Sequence, residues 1–172
     1  MIKGSALRSR GMEKYLRDFL SEMIRLLLEG RGGEVEGLLK KTMDKLEHHQ
    51  VPLSRLAKTE ALSESPDIYR EKVKQGKRNP AALYELALGS GRSYRAGDQL
   101  SYYVTGETKK VRVYENSKLA SKYHPAGPDE NVPYYQDKLL ALLEKFKEFL
   151  PKGEAVTPQA QKKGKRRRIS EN

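Results

Sequence analysis

The residues in this chain that could do chemistry are its carboxylates, its three histidines and its many cations. Two-metal phosphoryl transfer needs carboxylates that converge on ions about 3.5–4 Å apart. Asp18, Asp44 and Asp137 fall on the polar faces of helical segments, Asp129 lies in a loop, and no Asp-x-Asp pair occurs. His48 and His49 are adjacent at the end of a helical segment. Neighbouring helical positions diverge by about 100°, so this is no metal pair, and a favourable interaction with the helix C-terminus is the better role. His124 stands in a loop without a ligand set. "GGEVEGLLKKT" has the glycines of a phosphate loop but Leu38 where that chemistry needs lysine. There is no cysteine, which removes disulfides, thiolate metal sites and cysteine nucleophiles. No catalytic residue is assigned, no metal or cofactor is expected in this chain, and no self-contained active site is expected.

The cations carry a clearer signal. The net charge is +11. Residues 152–172 hold seven Lys/Arg against two Glu, so they supply +5 and the rest of the chain +6. An excess of this size favours a polyanionic partner, nucleic acid first and an anionic membrane surface second, against the plain alternative of a solvated basic face. Lys58, Arg70, Lys72, Lys74, Lys77 and Arg78 cluster mid-chain, followed by Arg92 and Arg95. No apolar run approaches the roughly 18 residues of a membrane span, and "MIKGSALRSRG" has no apolar signal core. The expected compartment is the cytoplasm, next to the nucleoid in a prokaryote.

The elements that must position these cations are mainly helical. In "MEKYLRDFLSEMIRLLLEG", Met12, Tyr15, Leu16, Phe19, Leu20, Met23 and Leu27 recur at helical spacing, and Gly30–Gly33 end the run. "EVEGLLKKTMDKLEHHQ" repeats the pattern through Val35, Leu38, Leu39, Met43 and Leu46, which predicts a helical hairpin. An extended piece follows around Ala57–Leu62, and then a short polar helix in "DIYREKVKQGKR". "NPAALYELALGSG" reads as a buried helix with Asn79 as cap and Pro80 at its first position. In "QLSYYVT", Leu100, Tyr102 and Val104 alternate with polar partners, and "VRVYE" alternates again after "GETKK", which predicts an antiparallel hairpin. Gly97 and Asp98 turn the chain into it, glycine for a positive φ and aspartate to bond backbone amides. Residues 116–133 read as a loop, "YYQDKLLALLEKFKEFL" as the last helix, and 151–172 as a disordered basic tail. Tyr102, Tyr134 and Tyr135 suit packing better than base stacking. The expected fold is therefore α+β, mainly helical, with a small antiparallel β element.

In this order, the features from Val51 to Phe149 resemble the thumb domain of family B DNA polymerases. "PLSRLAKTEALSESPDIY", "NPAALYELALGSGRSYRAGDQLSYYVTG" and "DENVPYYQDKLLALLEKF" carry the match. Upstream, "IKGSALRSRG" resembles the last strand of the palm, although Ser9 splits the paired arginines usual there. The resemblance covers about residues 2–150. It implies a palm-end strand at 1–11, a thumb-like domain at 12–150 and a basic tail beyond.

The resemblance also implies what is missing. The family's catalytic aspartates, fingers and exonuclease lie upstream of this segment. A complete polymerase would use Mg2+ to add nucleotides, whereas this chain alone would not extend a primer. Its partners would be double-stranded primer–template DNA and the palm and other polymerase domains, in cis or as a separate chain. By position in the match, Lys58, Thr59 and Ser63 are the first expected backbone contacts and Arg8 and Arg10 the second. Lys72, Lys74, Lys77 and Arg78 come third, as a flexible basic stretch. The alternatives are a stand-alone basic RNA- or DNA-binding module and a helical interaction protein.

Overall fold

The apolar stripe of "KYLRDFLSEMIRLLL" forms helix α1, Lys14–Leu28, in the computed structural model, which describes residues 11–151. Tyr15, Leu16, Phe19, Leu20, Met23 and Leu26 are buried, while Leu27 is only half-buried. Gly30 closes the helix at φ +74°, where the Arg31 N–H reaches back to the Leu26 carbonyl at 2.8 Å. Helix α2, Val35–Glu47, packs against α1 across a short turn at Gly32–Glu34. It ends the same way without glycine: His49 takes φ 56° and the Gln50 N–H bonds the Lys45 carbonyl at 2.8 Å.

A one-turn helix α3, Leu53–Leu56, leads into strand β1, Lys58–Ala61. Helix α4, Pro66–Lys74, is capped by Ser65, whose side chain accepts from the Ile68 N–H. Helix α5, Ala82–Gly89, buries Ala82, Leu83, Tyr84 and Ala87, as its apolar sequence requires. Its cap differs from expectation. The N-cap is Ala81, not Asn79, and no side chain caps the helix. Ala81 is extended because its N–H is drawn to the Tyr69 hydroxyl at 3.0 Å, which delays the helix past Pro80.

Strand β2, Gln99–Val104, lies between β1 and strand β3, Ser117–Leu119, in an antiparallel sheet of order β1-β2-β3. Lys58 pairs with Tyr102 and Tyr102 with Leu119. The hairpin expected between β2 and "VRVYE" does not form. Val111 and Val113 are half-buried in irregular chain, and Arg112 starts a turn in which the Glu115 and Asn116 N–H groups bond its carbonyl. The alternation of "VRVYE" reflects alternate burial without ladder pairing. β2 instead takes its partners from β1 and from a stretch expected to be loop.

Helix α6, Val132–Glu144, completes the fold, and a short 3-10 turn at Lys147–Phe149 follows it. One apolar cluster joins α1, α2, α6 and Val104, and a second joins Leu62, α4, α5, Leu100 and Tyr102, so β2 borders both. Fully buried Asn131 fixes this junction. Its Oδ1 accepts from the Tyr134 N–H at 2.9 Å, and its Nδ2 donates to the Thr105 and Thr108 carbonyls at 3.0 and 2.8 Å. Asn131→Ala removes a helix cap and orphans two carbonyls, so it should cost about 2–3 kcal/mol. Urea unfolding of the variant against the parent measures this, and a loss well under 1 kcal/mol would refute the role.

Candidate nucleic-acid interface

Side chains alternate across a strand, so Lys58 and Thr59 point to opposite faces of β1. Lys58 lies on the face of Leu100, Tyr102 and Val104, which turns to the core. From there it lines a cleft of about 290 Å³ with Lys138 of α6 and Lys145 at the C-cap of α6, at the start of α1. The floor holds Glu13, which is 4% exposed, with Lys138 Nζ 3.8 Å from its Oε2. Lys138 also sits over the Tyr134 ring at 5.5 Å. Burial first, and the Glu13 charge second, push the Tyr134 hydroxyl above the ordinary tyrosine range. Lys58 has a loose carboxylate partner of its own in Glu60 at 4.0 Å. Three lysines thus line one cleft with a single buried carboxylate, leaving local positive charge.

The charge is local rather than general. Residues 11–151 hold 24 Lys/Arg against 21 Asp/Glu, a balance of only +3. The remaining +8 lies outside the described residues, and Arg8 and Arg10 are among them.

On the other face, Thr59 Oγ1 is 2.5 Å from Ser101 Oγ, its cross-strand partner. β1 is an edge strand. The Leu62 N–H bonds the Asp98 carbonyl at 2.8 Å, and an antiparallel ladder alternates. Lys58 and Glu60 therefore turn their peptide groups toward β2, while Thr59 and Ala61 turn theirs to the open edge. A phosphate backbone along this edge would meet Lys58 from one side and Thr59 from the other. The turn that sets the far end of β2 follows expectation: Gly97 has φ +95°, and Asp98 Oδ2 accepts from the Arg95 N–H at 2.8 Å.

Ser63, just beyond β1, is exposed, with its Oγ 2.9 Å from the Tyr84 hydroxyl. The third group is partly helical, and most of its members are ion-paired. Lys72 and Lys74 are on α4, and the Lys77 N–H closes that helix on the Lys72 carbonyl at 2.8 Å. Lys72 and Arg78 both bind Glu64, the former at 2.7 Å, and hold its carboxyl below the ordinary range. Arg78 also covers the Tyr84 ring at 4.3 Å from its centroid. Lys74 reaches Glu71 at 3.8 Å, whereas Lys77 has no ion pair among the described residues. Sequence reasoning missed Lys138 and Lys145. They are seven residues apart, two turns along one helix face, and that spacing was the available signal.

A second cleft, of about 420 Å³, lies by His49, Thr105 and Pro133 and is acidic. Buried Glu130 accepts there from Tyr123 at 3.0 Å and faces His49 Nδ1 at 2.9 Å. Asp129 accepts from Tyr103 at 2.6 Å and Lys118 at 2.8 Å. His48 meets the helix end as expected, its Nδ1 2.9 Å from the Asp44 carbonyl. No group of three or more metal-ligating side chains occurs among the described residues. No protein-family model matches the chain, and no curated protein matches it.

Two outcomes follow from these charges. Glu13→Gln removes the only carboxylate that lines the lysine cleft among the described residues and should tighten binding of a polyanion by about two- to fivefold at low salt, an advantage that fades at high salt. Fluorescence anisotropy with a labelled duplex reads this, and weaker binding would contradict it. Burial alone would raise the Asp129 carboxyl, but Lys118 and Tyr103 hold it below the ordinary value. The stability it contributes is present above the unfolded-state value of about 3.9 and is lost as pH falls through the depressed folded one. Asp129→Asn should therefore flatten the acid limb of a stability–pH curve below about pH 4, and an unchanged limb would count against the assignment.

Proposed function

We propose that this chain grips the sugar–phosphate backbone of primer–template duplex DNA, as the thumb portion of a family B DNA-directed DNA polymerase. The observation that carries the reading is the convergence of Lys58, Lys138 and Lys145 on one cleft beside an edge strand that also offers Thr59. Cations and hydroxyl or amide donors suit phosphate oxygens and read no bases, which is what a grip on any sequence requires. Gly11, Met12 and Glu13, just ahead of α1, line the cleft, and the sequence resemblance puts the boundary with the palm at this point of the chain. Palm and fingers would come from the same polypeptide or a separate chain, and would bring the Mg2+-dependent chemistry. This chain by itself holds and positions the duplex.

A salt titration tests the reading. The full chain should prefer primer–template or blunt duplex to single strand, with little sequence dependence. If the three lysines each neutralise a phosphate, log K against log salt should slope by about −3 or more steeply, and Lys58→Ala should make it shallower by about 1. Primer extension by this chain alone should be absent. Equal or tighter binding to single strands would sink the proposal. Deleting residues 152–172 separates it from a tail-driven basic module: the thumb reading requires that duplex binding survive.

A further inference from the structure

The Tyr84 hydroxyl stands in an unusual set of neighbours. Tyr84 is 3% exposed, and its oxygen accepts from the Ser63 N–H at 2.8 Å and from the Glu64 N–H at 3.3 Å. The Arg78 guanidinium, another pure donor, covers the ring. The phenol has one hydrogen of its own. Among its neighbours only Ser63 Oγ, at 2.9 Å, can accept it. The phenol therefore donates to Ser63, and the Ser63 hydrogen cannot point back at Tyr84. It has no other acceptor among the described residues, and Ser63 is exposed.

We infer that Tyr84 is a positioning residue that holds the Ser63 hydroxyl as an outward hydrogen-bond donor to a phosphate oxygen of the bound backbone. The inference rests on the duplex-binding reading and adds to it the polarity of one contact. A lone serine hydroxyl can face an anion with either its hydrogen or its lone pairs, and only the former attracts. Buried Tyr84 removes that choice. The surroundings favour an anion, because Lys72 and Arg78 share the single carboxylate of Glu64 beside Ser63, and Lys72 is half exposed. Tyr69, stacked on Tyr84 at 4.6 Å, keeps the ring in place from its other side.

A double-mutant cycle on duplex affinity tests this. Ser63→Ala should weaken binding about tenfold, the scale of a hydrogen bond to a charged group, and Ser63→Thr, which keeps the hydroxyl, should restore most of it. Tyr84→Phe should weaken binding about threefold, because the hydroxyl is then free among three staggered positions. In the Ser63→Ala background Tyr84→Phe should cost nothing further. An equal cost in both backgrounds means that Tyr84 acts only by holding the turn, and overturns the inference. So does Ser63→Ala binding like the parent. If Tyr84→Phe fails to fold, the inference can still be overturned at Ser63, by Ala binding like the parent or by Thr failing to restore binding. Lys58→Ala is the control for the underlying reading: if the parent chain shows no salt-sensitive duplex binding, or Lys58→Ala leaves it unchanged, the interface itself falls. If Lys58→Ala weakens binding but the cycle shows no coupling, only the role of Tyr84 falls.

Discussion

The structure depends on how Val104 is held. Its N–H donates to the Tyr135 hydroxyl at 2.8 Å, and its carbonyl accepts from the Asn131 N–H at 2.9 Å. Both backbone groups at the end of the central strand are thus taken by the start of α6. Tyr135 is tied in turn to α1, because the Tyr15 hydroxyl donates to the Tyr135 carbonyl at 2.7 Å. Burial drives the Tyr15 hydroxyl far above its ordinary range, so it stays a neutral donor at any working pH. A buried polar chain of this kind is valuable only when every member is satisfied. Here no buried side-chain polar atom lacks a partner among the described residues. The chain runs from α1 through α6 to β2, and it sets the distance between the lysines of α6 and the strand that carries Lys58.

The same economy governs the cations. Most of the basic residues singled out in the middle of the sequence are paired with carboxylates nearby, which offsets part of their charge and, at Glu64, leaves one carboxylate for two cations. Arg70 meets Asp67 at 2.8 Å, Lys74 meets Glu71 at 3.8 Å, and Lys72 and Arg78 share Glu64. Exposed pairs of this sort add little stability, but they lower the charge available to a polyanion. The lysine cleft combines both features, a carboxylate that is outnumbered and one that is buried at 4% exposure. What makes a basic surface usable is therefore local imbalance, which neither net charge nor a run of lysines in sequence reveals.

How far the sequence could be read follows the range of the interactions involved. The stripes of α1 and α2, the buried α5 and the Gly97–Asp98 turn rest on contacts within a few residues, and they stand where periodicity and turn chemistry put them. β3 could not be seen: "SKL" has three residues, no alternation and no burial contrast. The pairing of Lys58 with Tyr102 spans more than forty residues, while "VRVYE" sat close by with a convincing but misleading alternation. Asn79 failed as a cap because a tertiary hydrogen bond from Ala81 to Tyr69 outweighed a local preference. At the candidate interface, Lys58, Thr59 and Ser63 were legible only as one short stretch. Their division between two faces and the edge follows from the strand period, but only once the strand was established. Lys138 and Lys145 needed the tertiary fold to bring them to Lys58.

That division bears on why an edge strand would serve such an interface. A free edge invites pairing with another chain, and short length and charged side chains guard against it. β1 has four residues, two of them Lys58 and Glu60, and so offers too little ladder for a partner strand. What remains at the edge is a pair of outward peptide groups with a cation on one side and a hydroxyl on the other. These features disfavour strand addition and leave donors at a spacing set by the backbone itself. A phosphate chain needs donors at such a regular spacing and nothing that discriminates among bases. The features that keep the edge from aggregating are thus the ones that leave it open to a polyanion.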